Sequence, residues 1–377
     1  MGEIEIKEVV NSSQQKAFIQ FPHDLYRTDR NYVPELYLAS KDLLNKKKNP
    51  YFKHSDASLF LAYKNGKLVG RIAATLNTRY NDFHECNVGF FGFFDCIEDL
   101  QVAKALTAHA EQYLNLLQVD QIIGPTNFST NDTAGVLVEG FDSPPFVQMT
   151  YNKPYYKELL EACGYDKEMD LYAYRIPTAT ASEKSIRLSG LIKDRLHSKG
   201  ISFRSVNMKK FSEEIVEIKE IYKKAWEKNW GFVPPTDEEF DFLAEGLKLV
   251  LDERYNFVAE HQGKMVGFAV GLPNINEITR HFKDGRLLPF NIFKLLFGKS
   301  KVKNIRIVLL GVIPEYRKMG IEGVFFADYI NAAKRNGLES GEASWILENN
   351  LPMRTAAEHL NGEKYKTYRL FSKKLKS

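Results

Sequence analysis

Cysteine is scarce in this sequence, with three in 377 residues, at positions 86, 96 and 163. No two of them form a close Cys-x-x-Cys pair, so neither a disulfide-stapled scaffold nor a zinc ribbon fits. The spacing of His84, Cys86 and Cys96 matches no common zinc site, and no metal is expected. Nowhere do 18 apolar residues run uninterrupted, which argues against a membrane-spanning helix. The opening stretch MGEIEIKEVV alternates acids with apolar residues, whereas a signal peptide needs a basic and then an apolar run. A soluble, cytoplasmic protein is expected. Arginine-rich blocks are absent and the basic residues are spread among acids, so nucleic acid is not an expected partner.

Aromatic residues are plentiful, with 26 Phe, 19 Tyr and 3 Trp, enough to build packed cores. At roughly 150 residues per domain the length favours two domains. The net charge of +4 is unevenly divided: residues 1–180 carry 18 basic and 23 acidic side chains, and residues 181–377 carry 34 and 25. A polyanionic ligand would therefore be steered toward the second half.

The chain repeats itself at a fixed offset. Ile4-Glu-Ile-Lys-Glu-Val9 and Ile201-Ser-Phe-Arg-Ser-Val206 are both alternating and strand-like, 201 − 4 = 197 residues apart. Leu59 to Ala74 and Phe257 to Gly271 both read as hairpins, turning at Asn65-Gly66 and Gln262-Gly263, again 197 apart. Two coincident offsets imply a tandem duplication. Each half reads strand, helices, hairpin, apolar strand, helix, strand, helix, strand, an α/β pattern with mixed sheets. In the second half, Ser212 is placed to cap a helix over 213–228, and Thr236-Asp-Glu-Glu239 is a capping box for a helix to about Val250. Ile305–Ile313 reads as a strand buried on both faces, followed by a helix from about Gly320 to Asn336 that Gly337 stops. Thr178–Lys184 is the expected linker.

The stretch Val308-Leu-Leu-Gly-Val312-Ile-Pro314-Glu-Tyr-Arg317-Lys318-Met319-Gly320-Ile321-Glu322-Gly323 joins an apolar strand, a proline-containing turn and an Arg-x-x-Gly loop that opens a helix. Backbone N–H groups at such a helix start suit a pyrophosphate. With Glu342 to Asn350 as the next strand, the second half resembles the GNAT superfamily of acyl-CoA N-acyltransferases, and the whole chain resembles a tandem GNAT protein. The resemblance implies two GNAT-like domains, 1–180 and 181–377, each a mixed, mostly antiparallel central sheet flanked by helices. It implies acyl-CoA as co-substrate, held by Val312, Arg317, Lys318, Met319, Gly320, Ile321, Gly323 and Asn350. It also implies Glu348 as base, the Val312 N–H as oxyanion donor, and a primary amine of a small-molecule or lipid-like acceptor.

The chain departs from the family pattern in three places. Glu322 stands where Gly or Ala is usual in the loop. The family tyrosine that protonates the leaving thiolate falls near Ala357 or Glu358, with Tyr365 and Tyr368 as substitutes. The first half has the apolar strand Val88–Phe94 but then Asp95, Glu98 and Asp99, which would repel a pyrophosphate, so that domain is expected to have lost coenzyme binding. Glu322 and the missing tyrosine keep open a non-catalytic acyl-CoA sensor or scaffold, and the tandem GNAT-like resemblance keeps open an aminoacyl-tRNA-dependent transferase. Trp226, Trp230 and Phe232 read either as an acceptor pocket or as core.

The second half alone carries an insertion between hairpin and strand, about 22 residues if Gly89 matches Val308. Its apolar residues, Leu287, Leu288, Phe290, Ile292, Phe293, Leu295, Leu296 and Phe297, are too many for an exposed loop and are expected to be covered. Three covers are conceivable: the seam between domains, an acyl chain or lipid-like amine beneath a lid, or a membrane surface met by segment 285–303, with Lys294, Lys299, Lys301 and Lys303 assisting.

Overall fold

The computed structural model describes residues 2–375; residue 1 and residues 376 and 377, included in the ranges 1–180 and 181–377, lie outside the described residues. The chain divides into two compact units. One takes the chain up to Leu171, Thr279–Pro289 and the residues from Lys366 on; the other takes Tyr172–Ile278 and Phe290–Tyr365.

The first half of the chain runs β1 (Ile4–Glu8), α1 (Ser12–Leu25), α2 (Tyr37–Leu43), β2 (Asp56–Lys64), β3 (Lys67–Leu76), α3 (Thr78–His84), β4 (Val88–Cys96), α4 (Leu100–Leu116), β5 (Gln121–Gly124), β6 (Val136–Glu139), α5 (Tyr156–Ala162) and β7 (Asp166–Pro177). The second half opens on α6 (Glu183–Ser198) and continues β8 (Ile201–Ser205), α7 (Phe211–Trp226), α8 (Asp237–Lys248), β9 (Asn256–His261), β10 (Lys264–Pro273), α9 (Asn276–Thr279) and α10 (Asn291–Gly298). It ends with β11 (Asn304–Val312), α11 (Ile321–Asn336), β12 (Ser340–Leu347), α12 (Leu351–His359) and β13 (Glu363–Lys374).

The strand order is β1-β2-β3-β4-β5-β13 in the first unit, with β6 also on β13, and β8-β9-β10-β11-β12-β7 in the second. Pairs β4–β5 and β11–β12 are parallel, as a helical crossover through α4 or α11 requires. The pairs around them are antiparallel. The sixth place is exchanged between the halves of the sequence. β13, from the end of the chain, pairs β5 from Phe371↔Gly124 to Lys374↔Gln121, whereas residues 172–177 of β7 serve the second unit. A single boundary at 180 misses this, because a strand's own alternation does not say whose edge it completes.

The hairpins turn as the sequence indicates. Asn65 and Gly66 have φ of 52° and 74°, and Gln262 and Gly263 repeat those values, the positive pair that a type I′ turn needs. Gly70 faces Cys96 and Gly267 faces Val312, so the offset grows from 267 − 70 = 197 to 312 − 96 = 216. The insertion is thus 19 residues rather than 22, and Gly89 does not match Val308. The Thr236 capping box is complete, with Thr236 N–H donating to Glu239 at 2.7 Å and Glu239 N–H donating to the Thr236 hydroxyl at 3.1 Å. The helix expected from Ser212 instead begins at Phe211 without a side-chain cap, because a 3₁₀ turn capped by Asn207 already delivers the chain into it.

Apolar side chains of α4 and its sheet close the first core, in which Phe371 of β13 is fully buried beside Phe91, Leu114 and Ile122. The second core is built the same way around α11. Because β13 completes the first unit, Phe371→Ala is expected to cost about 3–5 kcal/mol there. Native-state hydrogen exchange checks this: β4 and β5 should lose protection while β11 and β12 keep theirs.

Candidate functional site

β11 and β12 pair only from Asn304↔Ser340 to Ile307↔Ala343. Beyond that point Val308, Leu309 and Leu310 are half-buried, on a strand otherwise mostly buried. The expectation of burial on both faces fails at these three residues because the neighbouring strand has moved away, and an apolar slot results. Ile313 N–H donates to the Val266 carbonyl on β10 at 3.1 Å. Successive N–H groups of a strand point to opposite sides, so the Val312 N–H faces the slot. Val312 is the last residue of β11, and Glu348 stands in the turn directly after Leu347, the last residue of β12. Glu348 is half-buried, and its carbonyl accepts a bond from Arg354 at 2.8 Å.

The loop after β11 carries Lys318 at φ 64° and Gly320 at φ 96°. Gly320 is the N-cap of α11 and supplies no side-chain hydrogen bond, which leaves first-turn N–H groups at the positive end of the helix for an anion. Glu322 turns its carboxylate back onto its own N–H, and burial holds its pKa above the ordinary value despite the opposing pull of Arg317. Lys318 is exposed, Met319 half-buried and Ile321 buried, while Gly323 leaves room for Ser189 of α6. Arg317 has its guanidinium at the slot mouth, donating to the Val312 carbonyl at 3.3 Å and to the Ala225 carbonyl in the last turn of α7 at 2.8 Å. A cation there complements the negative end of α7. The Asn350 side chain accepts from Met353 N–H at 3.3 Å and so caps α12.

Trp226 presses against β11 at Gly311, where a Cβ would come within 2.3 Å of the indole. Phe232 is buried against Tyr222, which stacks on Trp226 with ring centroids 4.7 Å apart. Of the aromatic stripe, Phe232 is core, while Trp226 and Trp230 stay half-buried. At the place of the family tyrosine, Glu358 accepts a hydrogen bond from the Tyr174 hydroxyl at 3.0 Å, and burial raises the Tyr174 pKa. Tyr174 arrives on the exchanged strand β7, so its nearness to α12 was not readable from the sequence. Tyr365 donates to Glu342, which Ser344 also engages at 2.6 Å, and Tyr368 belongs to the other unit.

The first unit has the same elements, but its own side chains take up the backbone groups at the corresponding gap. Gly92–Phe94 are fully buried, because the segment after β5 folds back onto them: Thr126 N–H bonds the Phe91 carbonyl at 2.8 Å, and Asn127 accepts from Phe93 N–H at 2.9 Å. Cys96, the counterpart of Val312, spends its N–H on the Tyr156 hydroxyl at 3.0 Å. The start of α4 is capped by Asp99, whose carboxylate accepts from Gln101 and Val102 and pairs with Lys64 at 2.5 Å. Asp95, the counterpart of Gly311, is buried with Arg71 at 2.7 Å and Tyr26 at 2.8 Å. Asp95, Arg71, Tyr26 and Tyr156 help line a cavity of about 90 Å³ that also meets Tyr32, Tyr151 and Asn152. Among the described residues, no cluster of three His, Cys, Asp or Glu side chains is placed to hold a metal ion.

Comparison with known proteins agrees with this architecture. No family model matches the chain. Protein YghO of Escherichia coli (strain K12) is 36% identical over 376 residues, covering 98% of this chain and 95% of that protein. The bacterial ceramide synthase of Caulobacter vibrioides (strain NA1000 / CB15N) is 36% identical over an alignment of 383 residues, covering 99% and 98%. Among solved structures, a tandem GNAT protein from the clavulanic acid biosynthesis pathway matches with a TM-score of 0.59 at 12% identity, covering 100% of this chain and 99% of that one. The chain belongs to the family of Protein YghO and the bacterial ceramide synthase, and its fold is that of a tandem GNAT protein. A GCN5-related N-acetyltransferase from Sphaerobacter thermophilus shares the fold as well, at a TM-score of 0.54 and 12% identity over 99% and 96% of the two chains.

The raised Glu322 pKa carries a testable sign. The folded state holds the Glu322 proton more tightly than the unfolded state, so stability falls as pH rises from the ordinary carboxylate value through the raised one. Glu322→Gln should therefore melt higher than wild type at pH 7, and the difference should vanish below pH ~4. Thermal melts across pH 3–8 check both statements.

Proposed function

We propose that the second unit transfers an acyl group from an acyl-CoA thioester to a primary amine. The observation that carries this reading is the contrast between units: side chains bond the backbone N–H groups of the strand end and cap the helix start in the first, whereas Gly320 opens the helix of the second without a side-chain cap. The pantetheine arm would lie against Val308–Leu310 and the pyrophosphate on the N–H groups of Met319, Gly320, Ile321 and Gly323, with Arg317 and Lys318 beside it. The neutral amine attacks the thioester carbon, and the developing oxyanion meets the Val312 N–H. Glu348, directly or through water, takes the proton that the attacking nitrogen must lose, a role worth roughly 10²- to 10⁴-fold. The C–S bond then breaks, and the leaving thiolate takes a proton, for which Tyr174 of β7, protonated in its buried setting and hydrogen-bonded to Glu358 of α12, is the candidate donor.

The name of the Caulobacter relative supports a lipid-like amine acceptor and a long acyl chain. Acyl-CoA at about 100 times its dissociation constant should raise stability by roughly 2.7 kcal/mol, a shift of several degrees. Arg317→Glu or Lys318→Glu should remove that shift, and Lys104→Glu on α4 should keep it; loss with Lys104→Glu alone would move the site to the first unit. Glu348→Gln should still bind acyl-CoA but turn over at least about tenfold more slowly, with the deficit largest at low pH, where the amine is protonated. Full activity in that variant would leave Glu348 a structural turn residue.

A further inference from the structure

Most of the apolar residues of the insertion that distinguishes the second half are left uncovered by the chain itself. Of its apolar residues Leu295 is buried, whereas Phe290, Phe293, Leu296 and Phe297 are 75%, 56%, 42% and 73% exposed. These four fall within eight residues, and they include three of the four exposed phenylalanines among the described residues. The placement is periodic. Phe290, Phe293 and Phe297 recur at i, i+3 and i+7, on one face of α10, and Leu296 flanks them. Leu295, on the opposite face, anchors the helix.

The charge around this face has one sign. From residue 290 to 303 there is no acid, and there are four lysines. Lys294 sits at i+4 from Phe290, within the apolar stripe, and Lys294, Lys301 and Lys303 are exposed. Lys299 is turned inward to the Leu249 and Leu251 carbonyls, both at 3.1 Å. Of the acids near the segment, Glu277 is engaged by Lys303 N–H at 2.8 Å and Asn304 at 2.9 Å, and Asp252, close enough to Lys299 to feel its charge, is paired with Arg254 at 2.7 Å. Among the described residues no helix is long and apolar enough to cross a membrane, and eight helical residues span about 12 Å against a hydrocarbon core of about 30 Å.

We propose that α10 is a foot that seats this protein on an anionic phospholipid surface. Phe290, Phe293, Leu296 and Phe297 enter the boundary between headgroups and acyl chains, while Lys294, Lys301 and Lys303 reach back to headgroup phosphates, the arrangement of an interfacial helix. A protein partner would have to match an apolar face ringed by unpaired lysines; a bilayer with anionic lipid does so without shape complementarity. The inference does not depend on the chemistry of the slot.

Flotation of the full chain with vesicles tests it. Vesicles of phosphatidylglycerol and phosphatidylethanolamine should bind the protein at least tenfold better than phosphatidylcholine alone, with the excess falling as salt rises. Phe293→Ser/Phe297→Ser should lose at least tenfold on the anionic vesicles. Lys294→Glu/Lys301→Glu/Lys303→Glu should abolish the preference for anionic lipid. All these positions are exposed, and an unchanged melting temperature establishes that the variants are folded. Wild type failing to float, or floating equally with and without the two phenylalanines, overturns the proposal. So does dimerisation lost with Phe293→Ser/Phe297→Ser in a protein that ignores vesicles, which would assign the face to a second copy.

Discussion

Parallel strands that stop pairing leave backbone groups facing a gap, and those groups must find another partner or face water or ligand. In this protein the constraint arises at corresponding places in both units, where the strand after the hairpin parts from its parallel neighbour. The first unit meets it with its own side chains, Asn127 on Phe93 N–H and Tyr156 on Cys96 N–H. The second leaves it unmet at Val312, with three half-buried apolar residues along the gap. The acyl transfer proposed for the second unit rests on that difference.

The helix after each strand tells the same story in electrostatic terms. α4 and α11 both present a positive N-terminal end, but α4 satisfies it with the Asp99 carboxylate and α11 begins on a bare glycine. Loss of the site in the first unit is therefore more than a change of charge sign. Its residues are woven into the packing, since Asp95 supports Arg71 and Tyr26 in a buried network whose members satisfy one another. Such a network is costly to disturb one partner at a time, so the sealed state is locked in by stability.

Much of this was legible in the sequence because it rests on local rules. The Asn65-Gly66 and Gln262-Gly263 turns, the Thr236 box and the Gly337 stop each depend on a few adjacent residues, and each fold element appeared where its signal stood. The repeat fixed the equivalence of the halves up to the insertion, where the matching of Gly89 with Val308 slipped by three residues because an apolar strand carries little register information. Three features lay beyond reach. The exchange of β7 and β13, and with it the arrival of Tyr174 at α12, depends on pairing across nearly 200 residues of sequence. The filling of the first slot by Asn127 depends on a loop's path. The exposure of α10 runs against the rule that apolar residues seek cover, and only a structure identifies such an exception.

The central claim is that one fold occurs twice, with a single thioester slot left open between β11 and β12. Hydrogen exchange with and without a long-chain acyl-CoA addresses it directly. The account predicts slowed exchange in peptides covering residues 308–312 and 318–323, with no change over 92–102. Protection at 92–102, or none at 318–323, would contradict it.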